Sequence, residues 1–220
     1  MYFEYGAKEI DYIRSKDAKM GEYIDRIGHL HKSVDSDLFS SVVLNIIGQQ
    51  ISMKAQETIW ARMNDDLKEV TPQAIAEAGI DRIQSYGTSF KKAGYIYNFA
   101  QKILNGEFDL EAIWDKPDEE VIKELSSLNG IGEWTAEMIM LFCMQRPNIF
   151  SFKDLAIQRR LRMVYHHRKI TKELFEKYRR RFSPYCSVVS LYLWDISLGA
   201  IPKRKDHAPK TKKVQKNGKS

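Results

Sequence analysis

The sequence predicts an all-α fold that consists of two helical lobes with a cleft between them. Apolar residues recur at helical spacing along nearly the whole chain, as Val121, Leu125 and Leu128 do. No stretch sustains the two-residue alternation that is typical of a half-buried strand. The helical segments are also bounded by residues that start and stop helices, with Ser, Thr or Asp before them and Gly or Pro after them.

The predicted helices follow one another through short connections. In chain order they cover residues 4–16, 19–28, 38–47, 52–67, 72–79, 80–87, 89–105, 117–128, 134–144, 154–166, 171–182 and 186–199. Six of them begin at a side chain that can accept hydrogen bonds from the first amides of the helix: Asp37, Ser52, Thr71, Ser89, Asp154 and Thr171. We therefore assign residues 1–201 to one helical domain.

The stretch from Leu128 to Ala136 joins two of these helices through a turn with glycine on both sides of one apolar residue. Gly130 and Gly132 can adopt positive φ, and Ile131 can point back between the helices. The amides of Gly132 to Thr135 then lie at a helix N-terminus, where the helix dipole favours an anion such as a phosphate. This is the form of a helix-hairpin-helix motif at about 119–144. The same spacing also fits an ordinary glycine-rich connection.

The positive charge of the chain is concentrated at its C-terminal end. The net charge is +6, and residues 202–220 contain eight Lys or Arg against one acid, Asp206. The remaining residues are close to neutral, so a nucleic acid would have to be bound through local patches and helix ends. The tail has no apolar periodicity and is predicted to be disordered. It is either a solubilising terminus or a source of non-specific attraction to phosphates.

The cysteine count and the hydropathy restrict the class of protein. Cys143 and Cys186 lie in apolar helical segments and are expected to be two buried thiols of a reducing compartment, although a disulfide between them stays open. Two cysteines cannot supply the four thiolates of an iron–sulfur cluster. No apolar run is long enough to span a membrane, and no signal peptide is visible at Met1. The five histidines show no zinc-ligand spacing.

Asp154 is the candidate carboxylate for chemistry, about 24 residues after Gly130. A helix and a loop separate them, which permits the chain to return and bring Asp154 near the start of the second hairpin helix. On its own the residue is most simply a helix N-cap. A carboxylate there could also stabilise a cationic sugar or help to deprotonate an attacking water, as carboxylates do in glycoside hydrolysis.

Four features occur together in this chain: Leu-x-Gly-Ile-Gly-x-Trp-Thr-Ala at 128–136, Asp154, Gly-Gln-Gln-Ile-Ser at 48–52 and the late Tyr-Leu-Trp at 192–194. Taken together, these features resemble the helix-hairpin-helix DNA glycosylase superfamily, and within it the DNA-3-methyladenine glycosylase II enzymes. The resemblance covers roughly residues 35–200 and implies the helix-hairpin-helix glycosylase fold. The best-known relatives carry an N-terminal β-rich domain, whereas about 35 helical residues precede the matching region here, so no such domain is expected.

The resemblance implies a catalytic role for Asp154 and a base pocket made by Trp134, Trp194, Gln49 and Asp195. In bifunctional members a lysine that forms a Schiff base stands where this chain has Trp134, so the chain is similar to the monofunctional, water-using branch. An aromatic face suits a flipped, cationic alkylated purine. Trp134 could instead be a core residue, and Asp195 could instead form a salt bridge on its helix.

The resemblance also implies DNA contacts around the hairpin. Gln50 is the candidate wedge that fills the space left by the flipped base, although close relatives often carry an apolar residue there. Alternatively, residues 48–52 form only a turn held by glutamine hydrogen bonds. Gly130, Gly132 and Thr135 would bind a DNA phosphate. A Na⁺ or K⁺ ion would sit on the carbonyls of three residues at the turn: Ser126, Leu128 and Ile131.

We therefore expect a monofunctional DNA glycosylase that removes alkylated purines, of the 3-methyladenine type, from duplex DNA during base excision repair. No cofactor is required for this hydrolysis, and the Na⁺ or K⁺ ion that the resemblance implies at the hairpin is structural. The expected partner is double-stranded DNA with a damaged base, and the chain is expected to be a monomer, cytoplasmic in a bacterium or nuclear in a eukaryote. The alternatives are a non-catalytic helix-hairpin-helix DNA-binding module and an oxidised-base glycosylase.

Overall fold

The computed structural model describes residues 1–197 and 206–208, except for the side chains of 196 and 197. Eleven α-helices account for most of the described chain, in this order: α1 Ala7–Lys16, α2 Ala18–Ile27, α3 Leu38–Gly48, α4 Met53–Leu67, α5 Pro72–Ser85, α6 Phe90–Leu104, α7 Asp118–Ser126, α8 Glu133–Phe142, α9 Leu155–Tyr165, α10 Lys172–Phe182 and α11 Cys186–Ser197. Within these residues the only β pairing is one isolated bridge between Tyr2 and Ser33. The predicted all-α class is confirmed.

The predicted helix starts are confirmed at all six cap positions. Each of these side chains accepts a hydrogen bond from an amide in the first turn of its helix: Asp37, Ser52, Thr71, Ser89, Asp154 and Thr171. Asp17 caps α2 in the same way. A cap depends on one residue and the few that follow it, so it can be read from the sequence without knowledge of the tertiary fold.

The predicted break at Gly79 is confirmed, since this glycine has a φ of 72° and divides α5 at a kink into two helical parts. One local feature differs from the expectation. A short 3-10 helix at Ala112–Asp115 was not predicted. The predicted end of the last helix, at Gly199 and Pro202, lies outside the described residues, as does most of the predicted disordered tail.

The chain divides into two compact units. The first contains residues 1–4 and 31–149 and therefore α3 to α8. Its core includes the stacked rings of Phe39 and Phe99, 5.2 Å apart, with Phe108 edge-on to Phe99. Helix α3 packs on α4, α6 and α8, and α7 packs on α8. This unit therefore positions the hairpin and the Gly48–Ser52 segment.

The second unit contains residues 5–30 and 150–220 and therefore α1, α2 and α9 to α11. Phe150 and Phe175 stack in its core at 4.6 Å, with Phe182 edge-on to Phe150. Helix α9 packs mainly on α11, and α11 also packs on α2 and α10. This unit therefore positions Asp154 and Trp194.

Both cysteines are free and buried, with Cys143 in the first unit and Cys186 in the second. Burial raises the pKa of each thiol to about 12. The expected pair of reduced, buried thiols is confirmed. No helix in the described part of the chain combines the length and the apolar composition needed to cross a bilayer.

Candidate functional site

The hairpin turn between α7 and α8 is held by a backbone hydrogen bond from the Ile131 amide to the Leu128 carbonyl, at 3.0 Å. Gly130 has a φ of 88°, and a Cβ added there would lie 2.6 Å from the Tyr95 ring. Only glycine satisfies both conditions. Ile131 is buried, as the sequence suggested.

Gly132 serves a different purpose from Gly130. Its φ is −93°, so Gly132 does not adopt the positive φ that is open to a glycine. It is the N-cap of α8, no side chain caps this helix end, and a Cβ added there would meet no atom of the described residues within 4 Å. The absent side chain therefore leaves open space in front of a helix N-terminus, where the dipole favours anions.

The Gly48–Ser52 segment is tied to the hairpin and to α6. The Gln49 side chain donates from Nε2 to the Gly130 carbonyl at 2.6 Å. Lys92 Nζ donates to the carbonyls of Ile47 and Gln49, at 2.8 and 2.6 Å. Burial lowers the pKa of Lys92. Gln50, at the tip, is exposed and has a φ of 58°, so its neighbours hold its backbone in the left-handed region.

Two cavities of the first unit flank this segment. One has a volume of about 300 Å³ and is lined by residues that are mostly amide-bearing or polar: Asn45, Gly48, Gln49, Gln50, Gln56, Trp134 and Thr135. The other, of about 290 Å³, is lined by residues of the segment, of α6 and of the hairpin: Gln49, Gln50, Ser89, Lys91, Lys92, Tyr95 and Gly130. The interpretation of residues 48–52 as a turn held by glutamine hydrogen bonds is correct at Gln49, because its side chain donates to the Gly130 carbonyl.

Trp134 is not a core residue. It lies in the first turn of α8 with 45% of its surface exposed and lines the 300 Å³ cavity. Thr135, its neighbour, is buried and lines the same cavity. The alternative that Trp134 only fills the core is therefore wrong, whereas its role in a base pocket stays a prediction.

Asp154 lies in the second unit and is buried, with 6% of its surface exposed. Its Oδ1 accepts a hydrogen bond from the Ile157 amide at 2.8 Å, and its Oδ2 accepts one from Trp194 Nε1 at 3.2 Å. A buried carboxylate is tolerated only when hydrogen bonds replace its lost hydration. The two oxygens therefore have different functions. Oδ1 caps α9, and Oδ2 joins the start of α9 to α11.

The loop that leads to Asp154 is fixed by its own contacts. Arg179 Nη2 donates to the Phe150 carbonyl at 2.7 Å, and Gln158 Nε2 donates to the Phe152 carbonyl at 2.6 Å. These contacts fix the loop before the Asp154 carboxylate. The next residue, Leu155, presents an apolar side chain and is 77% exposed.

The predicted site residues fall into two groups, one in each unit. Asp154, Trp194 and Asp195 belong to the second unit, and Trp194 and Asp195 are half-buried on α11. The others belong to the first unit: Gln49, Gln50, Gly130, Gly132, Trp134 and Thr135. The predicted approach of Asp154 to the start of α8 stays a prediction.

Sequence reasoning missed three residues of these sites. Lys92 and Tyr95 were seen only as members of a helix, because the carbonyls and the glycine they contact lie far away in the sequence. Leu155 was covered only as a member of the predicted helix 154–166. A signal existed, since Leu155 lies outside the apolar stripe of Ile157, Leu161 and Val164 that this helix buries.

The three carbonyls predicted to hold a cation belong to the hairpin turn. That of Leu128 already accepts the Ile131 amide, and the nearby Ser126 Oγ is buried without a hydrogen-bond partner in the part of the chain that the structure describes. The Na⁺ or K⁺ ion on these carbonyls stays a prediction. Among the described residues no group of three His, Cys, Asp or Glu side chains could hold a metal ion.

Comparison with known proteins gives one family. A family model described as HhH-GPD superfamily base excision DNA repair protein matches residues 43–184. A Bacillus subtilis protein is 26% identical over 170 residues, and the Escherichia coli DNA-3-methyladenine glycosylase 2 is 27% identical over 169 residues. The matches cover 73% and 72% of this chain, but 59% and 57% of those proteins. The chain therefore spans less than two thirds of either relative.

Solved structures give the same fold. A DNA-3-methyladenine glycosidase from Bacillus halodurans superposes with a TM-score of 0.79 and 27% identity, over 91% of this chain and 92% of that one. The Schizosaccharomyces pombe 3-methyladenine DNA glycosylase in complex with abasic DNA superposes with a TM-score of 0.75 and 22% identity, over 90% and 100% of the two chains.

Proposed function

The chain belongs to the HhH-GPD superfamily of base excision DNA repair proteins, and we propose that it is a monofunctional DNA glycosylase acting on alkylated purines in duplex DNA. The observation that carries this proposal is the buried Asp154 carboxylate, held at the start of α9 by the Ile157 amide and by Trp194 Nε1. The names of the relatives supply the substrate class that we propose.

The proposed reaction hydrolyses the bond between the base and the sugar C1′. As this bond breaks, its electron pair leaves with the base and positive charge develops at C1′. Asp154 stabilises that charge and accepts a proton from the water whose oxygen bonds to C1′. The products are a free base and an abasic site. Alkylation at N3 or N7 makes the base a good leaving group, so no strong acid is needed to protonate it.

The position of Trp134 supports the monofunctional assignment. An indole has no nucleophilic nitrogen and cannot form the Schiff base on which a lyase reaction depends. The exposed ring of Trp134 is instead suited to stack on a planar base, and alkylated purines that carry positive charge gain a further cation–π attraction. We propose the same function for Trp194, whose ring lies beside Asp154.

DNA binding is proposed to use the hairpin and the Gln49–Gln50 segment. The open space at Gly132 lets a phosphate approach the N-terminus of α8, and a Na⁺ or K⁺ ion on the turn carbonyls would add a positive charge there. Gln50, exposed at the tip of its segment, is the proposed wedge in the duplex once the damaged nucleotide is flipped. Extrusion is needed because the reacting atoms of a stacked base are inaccessible.

The experiment measures release of free methylated purines from alkylated duplex DNA by the wild type and by Asp154→Asn. Asparagine keeps an oxygen that can cap α9, so the variant is expected to fold, to bind DNA and to release no base. Equal release by the variant would remove Asp154 from the mechanism. A covalent DNA adduct trapped with borohydride would indicate an oxidised-base lyase instead. Binding without release from alkylated, oxidised or deaminated DNA would indicate a non-catalytic module.

A further inference from the structure

A short piece of the C-terminal tail lies on helix α9. Asp206 accepts hydrogen bonds from Arg162 Nε and Nη2, at 2.9 and 2.8 Å, and its carboxylate is 3.5 Å from Arg159 Nε. The next tail residue, His207, forms a hydrogen bond through Nε2 with Nδ1 of His166 at 2.9 Å. Two consecutive residues of the tail are therefore held by side chains of α9 and of its C-cap residue, His166.

Three basic residues meet this piece of the tail. Arg159 and Arg162 lie one turn apart on α9, and His166 is the C-cap of the helix, with a φ of 60°. All three contact the same two tail residues and therefore belong to one face of the unit. Since the C-terminal end of a helix dipole is negative, it does not attract an anion here, and the positive potential comes from the side chains. The face is therefore a local basic patch in a body that is otherwise nearly neutral.

The contact of Asp206 is more buried than a typical surface ion pair. Both Arg162 and Asp206 are mostly covered, with 18% and 23% of their side chains exposed. The two parallel hydrogen bonds form the bidentate geometry by which a guanidinium recognises a planar carboxylate or a phosphate. Arg162 lowers the pKa of Asp206 to about 2. The arginine pair thus has the donors of an anion site, and a carboxylate of the same chain occupies it.

The occupant is unusual within its own segment. Asp206 is the one acidic residue among residues 202–220, and it stands between Lys205 and the later lysines. The basic residues around it attract a DNA backbone, whereas Asp206 repels it. When DNA approaches this face, exchange of the carboxylate for a phosphate keeps the arginine hydrogen bonds and removes that repulsion.

We propose that Arg159, Arg162 and His166 form a binding site for a phosphate of the DNA backbone, and that Asp206 occupies this site until DNA displaces it. The tail then weakens non-productive binding, because each encounter with DNA must first break an internal ion pair. The inference rests on the proposed function only in taking DNA as the partner, and it is independent of the base-removal chemistry.

The test measures the affinity of the full chain for an undamaged DNA duplex by fluorescence anisotropy, at several salt concentrations. Asp206→Asn is expected to bind about threefold to tenfold more tightly, the size expected for loss of a bidentate ion pair that competes with DNA. The gain should vanish when Arg159→Gln and Arg162→Gln are added. In the Asp206→Asn background, these two changes should reduce the slope of log Kd against log salt by about 0.9 for each lost phosphate.

A matched control separates displacement from a simple change of net charge. Asp11→Asn removes one negative charge from the same unit, from an exposed pair with Arg14 in which Arg14 keeps its contact with Asp25. It should change the affinity by less than about twofold. A gain in Asp206→Asn that persists without the arginines, or no gain, would overturn the proposal. A lower melting temperature of Asp206→Asn with unchanged DNA affinity would also overturn it, because the Asp206 contact would then only stabilise the fold.

The outcome is separable from that of the proposed function. If the wild type releases methylated purines and Asp206→Asn shows no arginine-dependent gain, only the phosphate site fails. If the gain is present and no base is released from any damaged DNA, the phosphate site stands and the glycosylase proposal fails.

Discussion

Trp194 donates its indole Nε1–H to Asp154 Oδ2 at 3.2 Å, and this contact joins α11 to the first residue before α9. The other carboxylate oxygen caps α9 through the Ile157 amide. Asp154 therefore has a structural function and, in our proposal, a chemical one, each assigned to a different oxygen atom. The two alternatives that the sequence left open, helix cap and reacting carboxylate, are compatible in one residue.

The two functions of Asp154 can be separated by two substitutions. Asp154→Ala removes the cap and should lower the free energy of unfolding by about 1 kcal/mol or more, because an amide of α9 loses its acceptor. Asp154→Asn keeps the cap oxygen but turns an amide NH₂ toward the Trp194 Nε1–H, so it should lose this one hydrogen bond, whereas Asp154→Ala loses both. Both should be inactive in base release. Chemical denaturation together with single-turnover release measures both quantities, and an active Asp154→Ala variant would contradict the proposed role.

Trp194→Phe tests the contact with Asp154 while it keeps an aromatic ring for stacking. Loss of the Nε1–H removes one hydrogen bond from the carboxylate, so we expect the single-turnover rate to fall about tenfold, in line with a hydrogen bond to a charged group. Affinity for DNA with an alkylated base should change little. Trp194→Ala serves as the comparison and should reduce both rate and affinity. A Trp194→Phe variant as fast as the wild type would mean that the indole N–H contributes nothing. Equal behaviour of the two variants would mean that the ring contributes nothing.

The two glycines of the hairpin should respond in opposite ways to alanine. Gly130→Ala places a Cβ against the Tyr95 ring at a φ of 88°, and should destabilise the protein by about 2–3 kcal/mol. Gly132→Ala meets no neighbour and has an ordinary φ of −93°, so its cost should be near 0.5 kcal/mol. The new methyl group of Gly132→Ala should instead weaken DNA binding. Thermal unfolding and anisotropy with duplex DNA test both expectations, which would fail if Gly132→Ala bound DNA normally.

The contrast between these glycines shows where sequence reasoning succeeds. Helix starts such as those at Ser52 and Asp154 were predictable, since a cap needs only neighbouring residues. The contact of Gln49 with the Gly130 carbonyl spans 81 residues, and no local pattern encodes it. The docking of Asp206 on α9 was hidden for the same reason, in a tail whose composition predicts disorder.

Lys92 is expected to control the order of the Gln49–Gln50 segment. Lys92→Met leaves the carbonyls of Ile47 and Gln49 without this donor and should cost about 1–2 kcal/mol of stability. Hydrogen exchange of residues 48–52 should become faster, and base release should slow because the proposed wedge is no longer held in place. Lys91→Met is the matched control, since Lys91 is exposed and lies over the Tyr95 ring at 5.8 Å. If Lys91→Met had the same effects as Lys92→Met, Lys92 would have no specific function in ordering the Gln49–Gln50 segment.

The two thiols should be unreactive in the native protein. Burial raises the pKa of Cys143 and of Cys186 to about 12, so at pH 8 only about one thiol in ten thousand is a thiolate. A thiol-specific chromogenic reagent should therefore titrate no group rapidly in the native chain and two groups after denaturation. Because the folded thiols keep their protons to higher pH than the unfolded ones, stability should fall as the pH rises above about 9. Cys143→Ala/Cys186→Ala should weaken this dependence, and the tyrosines whose pKa burial raises should account for the rest. Rapid native titration of either thiol would contradict its burial.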